Sequence, residues 1–277
     1  MRACLGRLGL SLRSMINYTE RLTDLMRDIV ARVPSLGCID FGQVLVFARL
    51  GRSDAEGAYA SCHCLTLPTS EPGYFFWRDR KTGELTRRSE WFVTKSPEVQ
   101  IAGRPINYLI SFVLPRFSDQ SLERSRKQPY YENEPGWMAK LDTVVHELYH
   151  IDPKGCGLRQ AVLPDGNISN RLHGPTYYED VARMVREYLA TEPDPATYEF
   201  LRYDFAGLIE RYGGVVCTTF RNYPSFPQRY NETVPVAADE APAVKIEPMK
   251  PFSQPTRYTE RDLARRLFTP QTSRLTG

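Results

Sequence analysis

Apolar residues recur at helical spacing through Leu22, Leu25, Met26, Ile29, Val30 and Val33 until Pro34 interrupts them. Asn17, with Glu20 three residues on, has the form of a capping box ahead of this run. The pattern predicts an amphipathic packing helix. It then changes to strands. Gln43 to Leu50 is apolar and β-branched, Ala58 to Leu67 is extended, and Ile106 to Leu114 is the strongest strand, ended by Pro115-Arg116-Phe117. Between them, Tyr74 to Trp77 and Glu90 to Thr94 flank the polar turn Asp79-Arg80-Lys81-Thr82-Gly83, a hairpin pattern. Ser118 to Pro135 is polar and charged and reads as a loop.

Helical spacing returns after Pro135, which sits where a helix begins. Trp137, Leu141, Val144, Val145 and Leu148 form one stripe, while Asp142, His146 and His150 run along another. The pattern is that of a buried helix presenting histidines to a cleft, ended by Asp152-Pro153, Gly155 and Gly157. Pro175 is placed as the first residue of a helix running to about Leu189, with Tyr178, Val181, Val185 and Leu189 inward. Ala196 to Tyr212 reads as one further helix with Leu201, Phe205, Leu208, Ile209 and Tyr212 at core spacing, stopping at Gly213-Gly214. From Asn231 the composition shifts, and Pro235, Pro242, Pro248, Pro251 and Pro255 predict a disordered linker. The expected division is a tail over 1–15, a main α+β domain over 16–230, the linker over 231–258, and a tail over 259–277. That last segment carries a short helix, Glu260 to Phe268, whose expected role is none, or docking on this fold or on a partner.

Composition narrows the class. At 277 residues and 42% hydrophobic, the chain can bury a real core in one large or two small domains. Its 36 basic and 33 acidic residues leave a net charge of +3, too little to argue for nucleic acid. The six cysteines lack a disulfide-scaffold spacing and no secretory leader is evident, so a reducing, cytoplasmic setting is expected. No apolar run approaches membrane-spanning length. The first fourteen residues bear arginine and no acids, which fits a transit peptide or an over-extended start with Met15 as initiator.

The chemistry concentrates at His146-Glu147-Leu148-Tyr149-His150. Two histidines at i and i+4 share a helix face and reach one ion, while the glutamate between them is placed to bind the metal's water. Catalytic zinc usually keeps three protein ligands and an open position. Three candidates complete the set: His173 ahead of a helix start, Cys156 ten residues after His146, and Glu179 or Asp180 as a helical carboxylate. Cys62 and Cys64 point to one strand face and His63 to the other, so small buried thiols are the simpler reading there. The bland alternative for the whole motif is a buried His-Glu-His helix without metal.

His146-Glu147-Leu148-Tyr149-His150 followed by His173-Gly174-Pro175-Thr176-Tyr177-Tyr178 is similar to the HExxH…HGxxF/Y pattern of SprT-like zinc proteases. The run from Phe112 to Phe117, through the motif and Ile151, to Gly157-Leu158-Arg159 looks closer still to uncharacterised bacterial and phage metallopeptidases. The likeness spans about Ile39 to Gly214. It implies a zincin-like fold, a small mixed or antiparallel sheet beside the active-site helix. It implies His146, His150 and His173 as zinc ligands and Glu147 as catalytic. Cys156 departs from the acidic or polar residue expected there. Pro153 and Cys156 exclude the long astacin-like signature, and no basic DNA-binding tail is carried over. The expectation is a zinc-dependent peptidase acting on a protein or peptide, with Tyr177, Tyr178 or Arg159 as oxyanion donor. If Ile106 to Leu114 borders the cleft, an extended substrate could pair with it. Alternatives are a zinc amidase or deformylase with a small substrate, and a non-catalytic metal-binding regulatory module.

Overall fold

The computed structural model describes residues 15–270 except 54–55, 80, 124, 164–165, 169–171, 222–228, 236–245 and 248–256. In chain order its elements are β1 (Ile16–Asn17), α1 (Tyr18–Arg32), β2 (Val44–Gly51), β3 (Ala60–Cys64), β4 (Gly73–Arg78), β5 (Leu85–Lys95), β6 (Glu98–Ile101), β7 (Arg104–Pro105), β8 (Tyr108–Pro115), α2 (Met138–Tyr149), α3 (Tyr177–Ala190), α4 (Pro195–Tyr198), α5 (Phe205–Tyr212), β9 (Val215–Phe220), β10 (Tyr230–Thr233), β11 (Ile246–Glu247), β12 (Arg257–Tyr258) and β13 (Leu263–Phe268). This is an α+β arrangement. None of the described helices is long and apolar enough to cross a membrane.

The main sheet is mixed. β8 lies between β2, parallel to it, and β3, antiparallel to it. β9 meets β1 and β2 in parallel, near its start and its end, and pairs antiparallel with β13 along its length. One sheet face (Val46, Ala48, Ile110, Phe112, Leu114, Cys64) packs under α1, α2 and α3 in the principal core. The other face carries Phe47, Leu109 and Phe220, covered by Val99 of β6 and Tyr258 of β12. Both faces being covered explains why β8 reads as a nearly continuous apolar run. A separate four-stranded sheet, β10-β5-β4-β11, contains the expected hairpin; its turn is held by Asp79 Oδ1, which accepts from the Lys81 and Thr82 amides.

Several expectations need correction. β8 is hydrogen-bonded on both sides and offers no edge; the edge strand beyond it is β3. The expected helix over 196–212 breaks, because Asp204 turns its carboxylate onto the Gly207 amide at 2.7 Å and starts α5 afresh. Its end does follow expectation: Gly213 takes the left-handed conformation, φ 73°. α2 and α3 begin at Met138 and Tyr177, after turns at Pro135 and Pro175 rather than on the prolines. The expected C-terminal helix is a short 3-10 turn, Glu260–Asp262, followed by β13. There the exposed ladder edge of β9 outweighs the weak helical spacing of Leu263, Leu267 and Phe268. The first fourteen residues and most of the expected linker (236–245, 248–256) lie outside the described residues. The linker's described flanks, β10, β11 and β12, are paired strands.

Truncation after residue 256 removes β12 and β13 and uncovers β9. Loss of a six-residue ladder and the Tyr258 contacts is expected to lower unfolding stability by on the order of several kcal/mol and to promote aggregation. A urea midpoint equal to that of the full chain would show the segment to be a dispensable tail.

Candidate metal centre

α2 is buried on nearly all sides, with Met138 to Val145, Glu147 and Leu148 out of solvent. Its i, i+4 geometry stacks His146 over His150, and their Nε2 atoms stand 3.1 Å apart. His173, on the turn ahead of α3, brings its Nε2 to 3.2 Å from that of His150. The three form a group whose ligand atoms all lie within 4.8 Å of one another. A tetrahedral ion with bonds of about 2.0–2.1 Å to nitrogen sets its ligand atoms roughly 3.3 Å apart, so the residues present fit such an ion. They do not fit a self-contained hydrogen-bond cluster. His150 Nε2, with one proton or one lone pair, cannot bond well to both neighbours.

Burial keeps these rings in the neutral form that a metal requires. It holds His146 well below the usual imidazole range and His150 down to about 3, with the neighbouring histidines adding to both. His173 is lowered by burial and then by Arg126. Glu147 is buried beside them. Burial pushes its carboxyl up to about 8, against the opposing pull of Lys127, the Cys62 amide hydrogen bond and Arg49.

These groups open onto a cleft of about 530 Å³, walled by Ala58 to Cys62 of the β3 edge, by Gln120, Arg126 and Lys127 of the loop before α2, and by Leu172 and Tyr178. Of the three expected oxyanion donors, only Tyr178 lines this cleft. Its hydroxyl lies 3.5 Å from His173 Nδ1. Tyr177 is buried and gives its proton to the His146 carbonyl at 2.9 Å. Arg159 donates to the Tyr149 carbonyl at 2.8 Å and stacks on the Tyr149 ring, closing the C-terminal end of α2. Cys156, Glu179 and Asp180 stand outside the ligand group. Asp180 instead accepts from Thr176 and pairs with Arg183 on its own helix.

His63 lies on the opposite sheet face, where Ser111 bridges it to Arg49. Burial, then Arg49, pushes its imidazole down to about 4. Cys62 and Cys64 turn to the core side and join no ligand set among the described residues.

The sequence reading missed a buried network one turn ahead of the ligands. Lys127 Nζ pairs with Asp142 Oδ1 at 2.7 Å and donates to the Ala139 carbonyl and Thr143 hydroxyl. Tyr131 donates to Asp142 Oδ2 at 2.7 Å, and Thr143 donates to Gln120. The available signal is Asp142, four residues before His146 on a helix with an apolar stripe, a carboxylate that needs a cation if the helix is buried.

Comparison with known proteins adds no identity: no protein-family model, curated protein or solved structure matches the chain.

Two outcomes follow for stability. Lys127→Met leaves Asp142 buried without its cation and is expected to cost about 3–5 kcal/mol, with the double change Lys127→Met, Asp142→Leu recovering much of it. Additive losses in that cycle would mean the two do not act as a pair. His63 is held neutral in the folded chain, so it contributes stability above its ordinary pKa near 6.5, lost as pH falls toward about 4. His63→Leu is therefore expected to lose about 3 kcal/mol less than wild type across that window. Parallel stability–pH curves for the two chains would contradict this.

Proposed function

We propose that the chain is a zincin-type, zinc-dependent peptidase. The observation that carries this reading is the convergence of three imidazole nitrogens beside the buried Glu147, in a cleft bordered by a sheet edge. His146, His150 and His173 would hold the ion, which would supply a Lewis acid and a water of lowered pKa. Glu147, one residue along from the first of these, would be the group that accepts a proton at its carboxylate and passes it to the leaving amine. Its high proton affinity in the metal-free chain follows from burial, and the Cys62 amide fixes its carboxylate toward β3. Of the three expected oxyanion donors, Tyr178 is the one whose hydroxyl side chain lines the cleft and could donate to a developing oxyanion.

The substrate is read as an extended peptide. Tyr59 and Leu65 bond to the β8 side, so the alternating residues Ala60, Cys62 and Cys64 turn their peptide groups outward, the Cys62 amide being the one that Glu147 takes. Ala60 and Cys62 also line the cleft, and strand addition there lays a peptide past the ligand group. The deformylase alternative lacks support, since a cysteine ligand is its mark and Cys62 stands outside the ligand group.

Purified chain is expected to carry about one equivalent of zinc by elemental analysis and to cleave an unstructured protein such as casein. Glu147→Gln should keep the zinc and lose cleavage by at least ~100-fold. Undiminished cleavage by that variant removes Glu147 from the mechanism. Stoichiometric zinc with no cleavage of casein or a peptide library favours the non-catalytic module.

A further inference from the structure

We propose that Tyr177 is the positioning residue of this metal centre, a flat plate against which all three ligand imidazoles are set. Because it concerns ligand rings, the proposal rests on His146, His150 and His173 holding a metal. A ligating imidazole is usually oriented by a hydrogen bond from its second ring nitrogen. His173 has the Tyr178 hydroxyl near its Nδ1. His146 and His150 do not have such a partner: both Nδ1 atoms are buried without a hydrogen-bond partner among the described residues. Something else must fix the rotation of these two rings.

The Tyr177 ring is in contact with all three. Its centroid lies 4.5 Å from that of His173, 5.0 Å from His146 and 5.2 Å from His150. It stacks on His150 at an interplanar angle of 29° and stands edge-on to His146 at 72°, two different orientations set by one plate. The plate is itself fixed. Tyr177 is fully packed, its amide donates to the Gly174 carbonyl, and its hydroxyl donates to the His146 carbonyl at 2.9 Å. The short turn that delivers the third ligand therefore also delivers the surface that orients the first two. Aromatic contacts of this kind favour particular ring geometries beyond the area they bury, and three on one plate together select one orientation of each ring.

The test compares wild type, Tyr177→Phe and Tyr177→Leu as full chains. Zinc is titrated into metal-free protein against a chromophoric chelator, and the histidine ring signals of the metal-free chains are recorded by proton–carbon NMR. The phenylalanine variant keeps the plate and is expected to bind zinc within about threefold of wild type. The leucine variant is expected to bind about 10–100-fold more weakly, the loss typical of an outer-shell partner. It should also lose the dispersed ring signals of His146, His150 and His173 while His63 stays unchanged. A purely structural role would lower the melting temperature and leave zinc affinity and ring signals of the folded chain at wild-type values; that result overturns the proposal. If wild type binds no zinc, the metal reading fails, and the ring spectra alone then decide whether Tyr177 orders the imidazoles. Should the leucine chain not fold, Tyr177→Met, similar in volume and without a flat ring, takes its place in both measurements.

Discussion

A helix buried on nearly all sides must satisfy each polar side chain without bulk water, and this constraint on α2 organises the molecule. Its first two turns meet the demand with protein groups. Lys140 donates to the Tyr203 carbonyl, Asp142 takes Lys127 and Tyr131, and Thr143 takes Gln120 and the Ala139 carbonyl. These bonds dock the long loop after β8 onto the helix, which is why Gln120, Arg126 and Lys127 become cleft wall. The last two turns carry His146, Glu147 and His150, and here the polar groups also line the cleft, Glu147 with the Cys62 amide as its protein partner. One helix thus has a scaffolding half and a chemical half, divided near Val144.

The same burial sets the electrostatics. Desolvation disfavours charge of either sign, so it keeps the imidazoles neutral and the Glu147 carboxyl inclined to hold a proton. Neutral rings with converging lone pairs suit a divalent cation, and a low-dielectric surround strengthens every interaction with one. Lys127 opposes burial at Glu147, lowering the proton affinity of the carboxyl, and adds to burial at His146, where both favour the neutral ring. Its own charge is neutralised by Asp142, so the correction it applies is partial. That balance leaves the Glu147 carboxyl of the metal-free chain at about 8.

What was legible in the sequence follows the range of the interactions concerned. The HExxH helix, the α1 helix with its Asn17 cap, the β4–β5 hairpin and the Gly213 helix end are all local, and spacing with turn chemistry was enough to read them. The convergence of His173 on the pair was read as one of three options; geometry selects it over Cys156 and Glu179 or Asp180. The misreadings are non-local. Which strand is an edge depends on pairing order, so spacing alone leaves open whether β8 borders the cleft, a place that β3 takes. Whether residues 263–268 are helix or strand depends on β9, nearly fifty residues away, offering a ladder. Helical spacing with Val181 and Val185 points Tyr178 inward, which the structure corrects: helix rotation buries the Tyr177 ring against the candidate ligand rings and leaves the Tyr178 hydroxyl on the cleft.

The ligands themselves divide along the same line. His146 and His150 are brought together by the helical repeat, so any state with α2 formed has them paired. His173 arrives only when the segment after α2 folds back and α3 docks. That return is pinned in steps, by the Ile151–Leu158 bridge, the Tyr108 hydroxyl on the Gly157 carbonyl, and the Gly157 amide on Thr66. Tyr177 then closes it against the His146 carbonyl. A metal held by all three histidines would consequently bind the docked state in preference to the undocked one, and by linkage would stabilise α3 on α2 as well as the site. The third ligand is thus where chemistry and tertiary structure are coupled, and the aromatic contact that orients the rings is also part of the contact that docks the helix.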